Sequence, residues 1–209
     1  MKGTLTVLAM FALGCIAGAL GILPQSLADG GLAKIVLYLL MFLVGVNIGG
    51  NPELKKIFSS VDPKLLLLPL ASVFGTLAVT ALVSLVLPEW GFADCLAVGS
   101  GMGYYSLSSI LISEYRQMAL GAQLAAELGT IALLSNVFRE LFTLVASPFL
   151  ARKFGPFAPI ASAGATAMDV SLPVILRSSG DRFLAAAVIS GVICDFSVPL
   201  LVSFFCSLP

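Results

Sequence analysis

The amino-acid sequence predicts an all-α membrane protein, with spanning helices and two broken, re-entrant helical elements arranged as an inverted repeat. Three observations lead there. Of the 209 residues, 59% are hydrophobic and 11% charged, and the mean hydropathy is +1.07. Eleven acidic and eleven basic residues cannot coat a soluble domain of this length. The apolar residues also gather into runs of bilayer length, about 20 residues each. Two of those runs are interrupted at their centres, and inside a bilayer broken backbone survives only where protein or a wet cavity satisfies it.

The same composition excludes whole classes of function. Acidic and basic charges cancel, so there is no basic field for nucleic acid. No histidine is present, which removes zinc-protease and histidine-base chemistry. Cys15, Cys95, Cys194 and Cys206 are isolated in apolar stretches and read as small core fillers, not as a disulfide framework or a metal site. No metal, no cofactor and no enzymatic activity are expected.

The first run, Thr4 to Leu23, ends at Pro24. Ser26-Leu27-Ala28 is a loose signal-peptidase pattern, but the run exceeds a usual signal core and a second run follows directly. It is read as a span. The second span is Leu32 to Ile48, followed by the polar stretch Gly49 to Lys64 with Asn51-Pro52 and Asp62-Pro63 as turn and helix-start signals. Leu65 to Leu87 is a span that tolerates Pro69, and Pro88-Glu89-Trp90-Gly91 is a turn at the interface, with Trp90 as headgroup anchor.

The first broken element is Phe92 to Ile112. Gly99-Ser100-Gly101-Met102-Gly103 sits in its centre, followed by Tyr104, Tyr105, Ser106, Leu107, Ser108 and Ser109. Each glycine weakens a helix by roughly 1 kcal/mol. Phe157 to Leu176 repeats the situation, with Gly164 ahead of Thr166, Asp169, Ser171 and Pro173. A shift of 65 residues lays Phe92-Ala93 on Phe157-Ala158, Gly99 on Gly164, Ser106-Leu107 on Ser171-Leu172 and Ile110-Leu111 on Ile175-Leu176. It also lays Leu65–Leu87 on Thr130–Arg152. One spanning helix followed by one broken element is therefore used twice. The single integral membrane domain, 1–209, divides into two N-terminal spans with a cytoplasmic loop (1–63), repeat unit one (64–129), and repeat unit two with the last span (130–209). Paired interrupted segments point to the binding site of a transporter.

Between the units, Gln117 to Leu150 would make one helix of about 51 Å, longer than the hydrocarbon core. It must tilt, emerge or break near Gly129, and the expectation is an interfacial lead-in from Gln117 and a true span from about Thr130. The last span, Phe183 to Phe205, contains Asp195 and Pro199. With the N-terminus inside and both broken elements re-entrant, Lys2, Lys55, Lys56, Lys64, Arg152, Lys153, Arg177 and Arg182 face the cytoplasm. Lys34 and Arg116 then lie outside and Arg139 is buried, as the positive-inside rule prefers.

Ionisable groups within spans face a cavity or one another. Here they are Glu127, Arg139, Glu140, Asp169 and Asp195. Asn136 and Glu140, four apart, share a helix face, whereas Arg139 lies about 100° around from Glu140 and should pair elsewhere. Asp169 stands beside Thr166 and Ser171 on broken backbone. Carboxylates with free carbonyls in a wet pocket suit a cation, an ammonium group or a proton. Blander roles stand against each: Glu140 as a partner for a neighbouring donor, Asp169 as a helix cap, Asp195 as support for a kink, Glu127 as an interfacial group. Asp94 reads as a helix start and not a site. Tyr104, Tyr105, Ser106 and Ser108 line the first break or, for the tyrosines, sit at the interface. Gly99, Gly101, Gly103, Gly164 and Pro173 break the backbone, and the glycines could equally serve close helix packing.

These stretches resemble the LysO lysine-exporter family. Gly101-Met102-Gly103-Tyr104-Tyr105-Ser106-Leu107-Ser108 is similar to its glycine–aromatic–serine stretch, Arg139-Glu140-Leu141 to its intramembrane Arg-Glu-Leu, and Gly164 to Val174 to its Gly-Ala-Thr-x-Met-Asp-x-x-Leu-Pro-Val element. The likeness covers roughly Leu37 to Pro209. It implies a multi-pass protein of the cytoplasmic (inner) membrane that exports L-lysine as a proton antiporter, with Glu140 and Asp169 on the family's acidic positions. The lysine side-chain ammonium would meet those two carboxylates, and its α-carboxylate the half-helix N-termini or hydroxyls of Gly101–Ser109. The chain looks like the C-terminal two-thirds of long members, which implies either a separate small membrane subunit or a homo-oligomer. The rival reading is a non-transporting, holin/antiholin-like regulatory subunit of LrgB type. An intramembrane aspartyl protease using Asp169 and Asp195 fits less well, because Gly101-Met102-Gly103 leads to Tyr104 and not to aspartate.

Overall fold

The computed structural model describes residues 63–208 and, within the N-terminal third, positions 13, 14, 16–21, 35, 39, 42 and 46. Apart from those positions, the two N-terminal spans and the loop carrying Lys55 and Lys56 lie outside the described residues, as does Cys15. The chain divides into two compact units, Met1–Lys55 and Lys56–Pro209. Every candidate site residue belongs to the second.

Among the described residues all regular structure is helical. A 3-10 turn, Pro63–Leu66, leads into α1, Leu67–Ser84. Two half-helices follow, α2 at Phe92–Gly99 and α3 at Tyr105–Tyr115, then the short α4, Gln117–Leu120. The long α5 runs Ala122–Phe154. A second pair of half-helices, α6 at Ala158–Ala163 and α7 at Leu172–Ser179, is separated by a 3-10 turn at Gly164–Met168. A last 3-10 turn, Asp181–Phe183, opens α8, Leu184–Ser207. With their lead-in turns, α1, α5 and α8 are the three described helices long and apolar enough to cross a membrane. The 65-residue shift holds at the level of elements: 67–84 falls inside α5, 92–99 on α6, and 105–115 on α7.

Local chemistry explains the half-helices. The Asp94 carboxylate accepts the Gly91 N–H at 3.1 Å, capping α2. Pro159 and Pro173 occupy the first turns of α6 and α7, where a missing N–H costs nothing.

Two sets of contacts place the ends of the broken elements. Arg116, just past α3, donates through Nε to the carboxylate of Asp94 near the start of α2. Its Nη1 donates to the carbonyls of Cys206 at 3.3 Å and Leu208 at 2.8 Å, where α8 finishes. Elsewhere the Ser179 hydroxyl, closing α7, donates to the Pro156 carbonyl ahead of α6 at 2.8 Å. There the Phe157 and Phe183 rings meet edge-on at 5.1 Å, and Leu65 and Leu68 join Phe183 around a core of Ile160, Ala163, Ala167, Ile175, Ala186 and Ala187. Each broken element thus leaves and returns to its own end of the bundle. A continuous helix over the 22 residues from Asp94 to Arg116 would separate those side chains by about 33 Å. The two hairpins close near opposite ends of α8, and their tips touch, the Ala165 N–H donating to the Met102 carbonyl at 2.9 Å.

Of the three ways to fit Gln117–Leu150, a break near Gly129 does not occur: helix α5 is continuous for 33 residues, about 50 Å, and the break before it falls at Gly121 (φ +82°). A Cβ on Gly129 would collide with the Ser113 hydroxyl and lie 2.7 Å from the Ser109 carbonyl oxygen. That glycine serves the close approach of α3, and the helix that carries the span begins at Ala122.

Candidate functional site

The crossing of the two hairpins leaves peptide groups outside regular helix, and several of them find partners there. At the first break Met102 and Gly103 take φ +46° and +96°. The Gly103 N–H donates to Asn136 Oδ1 at 2.7 Å, and Asn136 Nδ2 donates in turn to the Ala132 carbonyl at 2.8 Å. At the second, Gly164 takes φ +64°, and a Cβ there would strike the Met102 carbonyl oxygen. The carbonyls ending α6 are claimed by the spanning helices. Ser72 donates to Ala161 O at 2.8 Å, while Arg139 donates through Nε to Ser162 O at 2.8 Å and through Nη2 to Ala161 O at 3.2 Å. A cation at a helix C-terminus also meets the negative end of the helix dipole. Within the second break Thr166 donates to Ala163 O at 3.1 Å and shares a 3.0 Å hydrogen bond with the Ser171 hydroxyl.

Glu140, the next residue along α5, lies about 100° around the helix from Arg139. It is 7% exposed. Asp169, immediately after the second break, is exposed and accepts the Val170 N–H. Asp195, on α8, is half-buried. The charge of Asp169 acts on both Glu140 and Asp195. The Tyr104 hydroxyl feels Asp195 and Asp169, and that of Tyr105 feels Glu140 and Asp169. Asp169 thus lies within electrostatic reach of Glu140, Asp195, Tyr104 and Tyr105, which come from three other chain segments. Among the described residues no group of three or more His, Cys, Asp or Glu is disposed to hold a metal ion.

Residues 8–206 match the family described as lysine exporter LysO. The chain belongs to the LysO lysine-exporter family. It is 31% identical over 174 residues to the lysine exporter LysO of Escherichia coli, covering 83% of this chain and 54% of that protein. It is 30% identical over 177 residues to a putative lysine exporter of Haemophilus influenzae, covering 83% of this chain and 84% of that protein. The chain therefore spans about half the length of the first relative and most of the second. No solved structure matches it. The LysO match begins at residue 8, well ahead of the Leu37 at which the resemblance is visible by motif.

In this LysO-family chain the residues singled out in the sequence separate into two groups. Glu140, Asp195, Tyr104 and Tyr105 lie within electrostatic reach of Asp169. Asn136, Thr166 and Ser171 are committed to holding the breaks, and Ser108 donates to the Tyr104 carbonyl at 2.8 Å. Ser106 is half-buried in the first turn of α3. Gly99 lies against Thr80 and Gly101 against the Asn136 amide, each without room for a Cβ. Glu127 is exposed, 3.5 Å from Gln123. Sequence reasoning passed over Ser72 and Thr76, which with Thr80, Arg139 and Ser162 line an open groove of about 460 Å³ that holds none of the three carboxylates. The available signal was the spacing of Ser72, Thr76 and Thr80, hydroxyls four apart on one face of α1.

Proposed function

We propose that this chain exports L-lysine across the cytoplasmic membrane in exchange for protons, with Glu140, Asp169 and Asp195 holding the cargo's ammonium charge. The observation that carries the reading is that Arg139 is bonded to the carbonyls of α6, which leaves Glu140 and Asp195, each within electrostatic reach of Asp169, for another cation. Like charges gathered in a low-dielectric site must be compensated by a cation or by protons. If lysine and protons compete for the same carboxylates, loading one releases the other, which is antiport. The names of both relatives support lysine as cargo.

Orientation follows from charge. Lys64, Arg152, Lys153, Arg177 and Arg182 belong to the end that the second hairpin enters, and Arg116 to the other. By the positive-inside rule the first end faces the cytoplasm. The hairpins are then re-entrant from opposite sides and units 64–129 and 130–209 are an inverted pair within one membrane domain, an arrangement suited to alternating access about a fixed central site. The chain works alone, as a homo-oligomer, or with a separate small membrane subunit.

The test is labelled-lysine flux in proteoliposomes with and without an imposed proton gradient. Gradient-dependent flux should appear and fall at least about 10-fold in Glu140→Gln, as for loss of a charge contact to cargo. Flux that appears only with a co-reconstituted small subunit would assign the missing part. Undiminished flux in Glu140→Gln would remove the central residue, and a folded protein inert to lysine under every condition would favour the LrgB-type regulatory reading.

A further inference from the structure

We infer that the groove bounded by α1, Arg139 and the end of α6 holds the zwitterionic head of an amino acid, the free edge of Arg139 taking its α-carboxylate and the Thr76 oxygen its α-ammonium. This deepens the export reading and rests on it for the class of cargo. Arg139 spends one edge of its guanidinium on the fold, Nε and Nη2 donating to the Ser162 and Ala161 carbonyls at 2.8 and 3.2 Å. The other edge, where Nη1 stands beside Nη2, is held more loosely. Nη1 lies 3.4 Å from Thr76 Oγ1 and 3.8 Å from Met102 Sδ, and no hydrogen bond of Arg139 goes to a carboxylate. A guanidinium edge takes a carboxylate through paired N–H donors, and a cation within a span calls for such a partner. The hydroxyls of α1 supply the opposite chemistry. Thr76 donates its proton to the Ser72 carbonyl at 2.8 Å, and Thr80 donates to the Thr76 carbonyl at 2.8 Å. With that proton spent, the oxygens only accept, which suits an ammonium. Donor edge and acceptor meet at Thr76, side by side, as carboxylate and ammonium do on one α-carbon. The groove, about 460 Å³, has room for a whole amino acid, and Ala71, Gly75 and Val79 give its side chain an apolar wall. A lipid phosphate is the wrong occupant. Thr76 lies midway along Leu67–Ser84, roughly 12 Å or more from either end of that span.

The probes are L-norleucine, which keeps the zwitterionic head and lysine's carbon chain without the terminal amine, and L-norleucinamide, in which the carboxylate is masked. The readout is the thermal unfolding midpoint of the purified full chain in detergent at constant ionic strength. Norleucine should raise the midpoint, and the amide should need at least about 10-fold more, as for the loss of one charge contact. Gly75→Leu tests the groove without touching Arg139. A Cβ at Gly75 meets only open space, so the leucine fills the groove, and removing a helix glycine favours folding. Its unliganded midpoint should match or exceed that of the unaltered chain, while its response to norleucine falls at least about 10-fold. Thr76→Val, close in shape, should weaken the response about 3-fold or more, the share of one hydrogen bond, and decides alone if the leucine variant does not fold. Equal responses to the two probes, no response to either, or an undiminished response in a folded variant overturns the inference. Lysine flux judges export separately. Stabilisation by norleucine without flux keeps the head-group site and removes export, whereas flux without stabilisation keeps export and removes the site.

Discussion

At the scale of single residues, the second break depends on a glycine for two reasons at once. Gly164 has a left-handed φ, and the Met102 carbonyl oxygen occupies the space a Cβ would need. Both obstacles are backbone, so neither can give way as a flexible side chain could. Gly164→Ala should therefore cost at least about 2 kcal/mol, read as a lowered unfolding midpoint in detergent; an unchanged midpoint would mean the tips do not touch as described. Asn136 shows what sequence spacing hides. Its i, i+4 relation to Glu140 suggests a shared binding face, yet both ends of its amide are used on Gly103 and Ala132. Asn136→Ala leaves a buried N–H without a partner and should cost about 1–3 kcal/mol. Asn136→Asp keeps the acceptor for Gly103 and should recover part of that loss.

At the scale of elements, the hairpins were legible because glycine and proline punctuation recurs at a fixed offset, and self-similarity survives even in apolar sequence. The start of α5 was not. A glycine in a helix reads as a weak point, but Gly129 answers to Ser109 and Ser113 on α3, and nothing in the local sequence shows what lies across a helix. The same blindness applies to Asp94 and Arg116, which look like two separate interfacial charges until the first hairpin folds and brings them together. Their pair is buried and tied to the end of α8. Arg116→Gln strands the Asp94 carboxylate and should cost about 3–5 kcal/mol. Adding Asp94→Asn should return a large part of that, by about 1 kcal/mol or more, as coupled neighbours do. Strictly additive losses in thermal unfolding would show that the two residues act independently.

At the scale of the molecule, Glu140, Asp169 and Asp195 could be picked out, together with Glu127, by rarity alone, since apolar spans seldom carry acids. The electrostatic reach of Asp169 to Glu140 and Asp195 could not, because it depends on how α5, the second break and α8 pack. The fold makes a prediction about sidedness that separates hairpins from spans. In a protein lacking its native cysteines, Glu89→Cys and Met118→Cys, the latter at a position 99% exposed, should react with an impermeant thiol reagent from the same side of oriented vesicles. Gly155→Cys and Asp181→Cys should react from the opposite side. Labelling of positions 89 and 118 from different sides would mean that the first broken element crosses the bilayer.

The hydrogen bond between Ala165 and the Met102 carbonyl also sets a schedule for biogenesis. The first hairpin leaves the ribosome before its partner exists, and chain growth at about 5–20 residues per second means several seconds pass before Ala165 is made. During that interval Asn136 can already brace Gly103, but the Met102 carbonyl must wait in water, in the insertion machinery or at the interface. Nascent chains stopped between Asn136 and Ala165 should therefore hold the first hairpin loosely and be preferred targets of membrane quality control, while chains a few tens of residues longer escape it.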